Sequence, residues 1–173
     1  MTCFVASTDS QWVSELRPLR LSTPLLLVAA SALYYGSYLA AFPFSFGGEG
    51  YLYYIAQRFG EGAVPYRDIH LLSYFPGLFY LFSPLAGLEE GAVIWARALM
   101  LVGLVAKVLL MWACARRIGG ERTAVCAALI VMLVPGPWHK FYVGTLSLWV
   151  LYSILRYSRE PVRHNAVLLG AAV

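Results

Sequence analysis

The chain of 173 residues is 60% hydrophobic and only 13% charged, with a mean hydropathy of +0.67. A soluble domain of this size needs far more polar surface to clothe its core, so the composition predicts a membrane protein. The net charge of +4 comes with no basic face of the kind nucleic-acid binding requires, and reads first as a topology signal.

Residues 1–23 are mixed and polar, with Asp9, Glu15, Arg17 and Arg20, and read as a cytoplasmic segment. The apolar run that follows is too long for a signal-peptide core and lacks a small-residue cleavage site, so it reads as a retained first span. It covers residues 24–42, roughly 28 Å of helix, enough for a bilayer core. Pro24 suits a first helical turn, and Thr23 or Ser22 can cap it.

A long loop, 43–91, comes next. Within it, residues 49–59 have helical spacing, with Leu52, Ile55, Ala56 and Phe59 on one face and Gln57 and Arg58 on another. Tyr51, Tyr53 and Tyr54 add rings of the sort that settle at headgroup depth, so the piece reads as a surface helix. "GEGAVPY" ends it, and "RDIH" follows in an extended or turn conformation. Residues 71–88 are apolar, yet Pro76, Gly77, Pro84 and Gly87 interrupt them.

A second span is expected over 92–115, then the charged turn "RRIGGER", then a short third span over 123–134 that stops at "PGPWHK". Residues 141–157 make a fourth. A fifth begins at 165 and runs for about ten residues, half of a crossing, so the chain is expected to be part of a longer protein. Cys3, Cys114 and Cys126 lack metal-ligand spacing and read as small buried apolar residues with no disulfide framework.

Positive charge decides the orientation. With 71–88 in the membrane plane, Arg17, Arg20, Arg116, Arg117, Arg122, Arg156, Arg159 and Arg163 share one side, and Arg58, Arg67, Arg97 and Lys140 the other. If 71–88 crossed, the Arg116/Arg117/Arg122 cluster would lie opposite the other basic clusters. The expected fold is therefore all-α: a multi-pass, polytopic membrane helical bundle in the cell membrane. Its N-terminus is cytoplasmic, and an outer loop carries surface helices.

The order of these pieces resembles a known family. "EGYLYYIAQRFGEGAVPYRD", "YFPGLFYLFSPLAGL" and "WARALMLVGLVAKVLLMWACARRIGGERTAVCAALIVMLVPG" are similar to the N-terminal part of the GT-C glycosyltransferases. The likeness is to family 39-like bacterial members, related to protein O-mannosyltransferases and aminoarabinose transferases, over residues 24–157. It implies that residues 24–173 are the N-terminal part of a GT-C-like transmembrane domain. It also implies an enzyme that transfers a sugar from a polyprenyl-phosphate donor to an acceptor at the outer membrane face. The family's loop characteristically starts with an Asp-Glu pair, the Asp being its usual acid or base. This chain has Gly48-Glu49, so only the second position carries a carboxylate.

An attacking hydroxyl needs a base, and the candidate catalytic residues are Glu49 and Asp68. Glu49 has a second reading, as a carboxylate favoured at the start of the surface helix. The developing charge on a phosphate leaving group calls for a cation or a divalent metal, for which Asp68 and His70 are candidate ligands. Candidate substrate-binding residues are Arg67, Tyr53, His139 and Lys140; Arg67 and Lys140 would hold the donor phosphate or simply meet headgroups. Lys107, mid-span, has no assigned role. The alternative to an enzyme is a non-catalytic multi-span protein, such as a polyprenyl-lipid binder or transporter component, in keeping with Gly48.

Overall fold

The computed structural model describes residues 22–41, 49–69, 76–87, 91–134 and 141–159. Those residues are mostly helical and contain no strand beyond one isolated bridge, Pro65 to Ile69. The helices are α1 (Ser22–Ala41), α2 (Tyr51–Gly60), α3 (Pro76–Ala86), α4 (Ala92–Leu133) and α5 (Phe141–Arg159).

Helix α1 buries Leu27, Ser31, Tyr35 and Leu39, one residue per turn and therefore a single narrow stripe. On its other faces Leu25, Leu26 and Leu33 are 64–75% exposed. A helix apolar all round but packed on one stripe leaves most of its apolar surface uncovered among the described residues. Two helices, α1 and α4, are long and apolar enough to cross a membrane. Only 22% and 33% of their most apolar windows are buried in the molecule, unlike the core helix of a soluble protein.

Helix α4 has 42 residues, which would extend about 63 Å if straight, twice a bilayer core. It is not straight. Arg97 donates to the Leu39 carbonyl, and the Tyr35 hydroxyl donates to the Val131 carbonyl. Tyr35 and Leu39 are one turn apart on α1, whereas Arg97 and Val131 would be about 51 Å apart on a continuous helix. Both contacts are possible only because α4 folds back at Gly120, whose φ of 80° and ψ of −174° lie outside helical space. Trp112 and Arg116 on the first arm both bond Glu121 on the second, tying the hairpin shut. The expected break over 116–122 is thus a single residue. Charged side chains do not stop a helix; a glycine at positive φ does. The second arm ends where expected, with Val134, before Pro135, out of the helix.

Helix α5 lies along the first arm. The Thr145 hydroxyl donates to the Gly103 carbonyl at 3.0 Å, the Cys114 thiol to the Leu148 carbonyl at 3.7 Å, and the Arg117 guanidinium sits 5.0 Å from the Tyr152 ring centre. The partner numbers rise together, so the two helices run parallel. Lys107 is buried in this seam, and Gly144 makes room for its stem: a Cβ there would come 3.2 Å from the lysine Cδ. The structure buries Cys114 but leaves Cys126, expected to be buried, exposed.

The loop after α1 supplies α2 and α3, which pack on each other. Leu52, Ile55, Ala56 and Phe59 are the buried face of α2, as its spacing predicts. Phe59 stacks on Tyr80 at 4.8 Å and tilts against Phe79 at 5.8 Å. Gly62, at φ 88°, closes α2: its N–H reaches the Phe59 carbonyl, and the next N–H, of Ala63, reaches Arg58. Helix α3, with 11 residues and about 16 Å, is too short to span a bilayer core alone.

Candidate functional site

Glu49 stands two residues before the first residue of α2 and is only 5% exposed. Its carboxylate is gripped by Arg97 from the start of α4, Nε to Oε1 at 2.8 Å and Nη2 to Oε2 at 2.9 Å. The remaining guanidinium nitrogen, Nη1, donates to the Leu39 carbonyl at 2.7 Å. Leu39 lies in the last turn of α1, where carbonyls have no partner within the helix. One guanidinium therefore caps α1 and holds the head of α2 against α4, in the two-pronged geometry that makes arginine–carboxylate pairs strong.

A small cavity lies beside this pair, walled by Glu49, Tyr53, Phe82, Ala92 and Met100 among others. Its volume of about 10 Å³ is at the limit for one water, so it holds no sugar as it stands. The structure brings Glu49 and Tyr53 together on that cavity, and Arg97 holds Glu49 there. Arg97 was legible only as an outer-side charge. The one signal for its role is a lone arginine in the first two turns of an apolar span.

Asp68 and Arg67 form a separate, exposed group. Arg67 Nε and Nη2 donate to the two Asp68 oxygens at 2.9 and 2.8 Å. The Val64 N–H donates to Oδ2 at 2.8 Å, and the Asp68 N–H returns to the Val64 carbonyl at 2.9 Å. These bonds close a tight turn around Tyr66, whose φ is +62°. The guanidinium beside it and the Val64 N–H hold the Asp68 carboxyl down at about 2, and the same pairing raises Arg67.

Among the described residues no group of three His, Cys, Asp or Glu could hold a metal ion. His70, His139, Lys140 and Gly48 lie outside the described residues.

No family model, curated protein or solved structure matches the chain.

Proposed function

We propose that the protein is a polytopic membrane glycosyltransferase of the GT-C type, transferring a sugar from a polyprenyl-phosphate donor to an acceptor at the outer face of the cell membrane. Its supports are the loop and span sequences that resemble that family, and the division of charge between the two ends of the helical bundle. At one end are Glu49, Arg97 and the α2–α3 pair. At the other are the α4 turn, with Arg116, Arg117 and Arg122, and the α5 terminus, with Arg156 and Arg159. The Arg159 guanidinium donates to the Arg117 carbonyl, which holds these two basic segments together. By the positive-inside rule the basic end is cytoplasmic and the α2–α3 end faces outward.

In this reading α2 and α3 form a platform at headgroup depth where a lipid-linked sugar meets its acceptor. A carboxylate, Glu49 or Asp68, takes the proton of the acceptor hydroxyl as its oxygen bonds the anomeric carbon. The bond from that carbon to the donor phosphate breaks with its electron pair on the phosphate oxygen. Arg67 and Lys140 then meet the developing charge. The experiment is sugar transfer by the protein expressed from its complete coding sequence. Activity should fall in Asp68→Asn or Glu49→Gln, and full activity in both variants would refute these assignments.

One observation favours a second reading, a non-catalytic polyprenyl-lipid binder or transporter component. The Arg97 fork takes a lone pair on each Glu49 oxygen and gives that residue a structural task. The two readings separate on a polyprenyl-phosphate sugar donor that binds but is never consumed.

A further inference from the structure

An open groove of about 580 Å³ runs between α1, the first arm of α4 and α5, far from Glu49. Its volume is within the usual range of about 300–1,000 Å³ for ligand pockets. Pro24 comes from α1, Ala106, Leu109 and Ala113 line it from α4, and Trp149 and Tyr152 from α5. From Thr145 to Tyr152 it follows about 10 Å of helix rise. Ala106, Leu109 and Thr145 line one end of it, and Trp112 and Tyr152 the other.

Cations stand over those two rings. The Arg116 guanidinium carbon lies 5.1 Å from the Trp112 ring centre, and that of Arg117 lies 5.0 Å from the Tyr152 ring centre. Arg116 is partly neutralised by Glu121 at 3.0 Å. Arg117 has no carboxylate partner among the described residues. An apolar trough whose end rings, Trp112 and Tyr152, each carry an arginine suits an apolar chain ending in an anionic headgroup. Basic pockets between membrane helices on the cytoplasmic side select such lipids.

We propose that this groove is a binding site for an anionic glycerophospholipid of the inner leaflet. One acyl chain lies along Leu109, Ala113 and Trp149, and its phosphate is held by Arg117 with help from Arg116. The site rests on α1, α4 and α5 crossing the membrane and is independent of sugar transfer. It is at the opposite end of the bundle from the proposed donor site.

Native mass spectrometry of the full-length protein tests it, with phosphatidylglycerol and phosphatidylcholine of matched chains as probes. One charge at a membrane surface contributes about 1 kcal/mol, or about fivefold in affinity. Phosphatidylglycerol should be retained over phosphatidylcholine by about that factor or more. Arg117→Gln should abolish the preference, Arg117→Lys should keep most of it, and Arg122→Gln, an exposed cation of the same turn, should leave it intact. Ala113→Phe, which fills the trough and keeps every charge, should weaken retention of both lipids. Equal losses in Arg117→Gln and Arg122→Gln would reduce the effect to bulk charge and overturn the site. So would unchanged retention in Ala113→Phe variants with wild-type melting temperature. A wild-type protein that carries no lipid because a second copy or another segment of the chain covers the groove overturns it equally.

Discussion

Arg97 is the residue that ties α1, α2 and α4 together at the α2–α3 end of the bundle. Removing one partner of a buried ion pair costs about 3–5 kcal/mol, an upper bound for this pair because the Arg97 side chain is partly exposed. Arg97→Met should therefore lower the thermal midpoint sharply, and Glu49→Gln likewise. The double variant should be less damaged than the sum of the two, because it leaves no orphaned charge. Strict additivity, measured by thermal unfolding in detergent, would show that the two side chains do not act as a unit. Asp68 gives a pH prediction of definite sign. Its carboxyl lies at about 2 in the folded turn, against about 3.9 for a free aspartate. A lowered folded value means the turn is fully stabilised above about pH 4 and loses that support as pH falls through about 2. Carbon NMR of labelled aspartate should find a midpoint near 2, rising toward the ordinary value in Arg67→Gln. An ordinary midpoint in the wild type contradicts the ion pair.

At the level of the elements, much was legible because the determinants are local. The spacing of Leu52, Ile55, Ala56 and Phe59 gives the buried face of α2, and Pro135 gives the end of α4. Phe59→Ala should cost about 3–5 kcal/mol, whereas Gln57→Ala on the exposed face should cost under about 0.5 kcal/mol. Unfolding midpoints compare the two directly, and similar losses would mean the α2 face is misassigned. The fold-back at Gly120 was legible as a charged interruption, but which residue breaks the helix was not. That depends on a backbone angle only glycine adopts cheaply. Gly120→Val should destabilise the hairpin by about 1–2 kcal/mol or more, whereas a variant at exposed Arg122 should not. The Glu49–Arg97 pair was illegible for another reason: its partners are distant in sequence and meet only once α1, α2 and α4 pack. The candidate site was thus half readable. Its carboxylate stood out in the sequence, and the cation that restrains it did not.

For the whole molecule, the proposed function requires two chemically distinct ends, with the α2–α3 platform outside and the arginine-rich turn inside. The residue and element predictions hold whichever way the bundle faces; the functional reading does not, since a lipid-linked sugar at the outer face needs Glu49 and Asp68 on that side. The most direct test is labelling by a membrane-impermeant thiol reagent in intact cells. Cys3, Cys114 and Cys126 would first be replaced, and single cysteines introduced as Glu61→Cys beside α2 and Arg122→Cys at the α4 turn. The first should be labelled in intact cells and the second only after the membrane is opened. Labelling at position 122 from outside, with position 61 protected, would invert the bundle and contradict it.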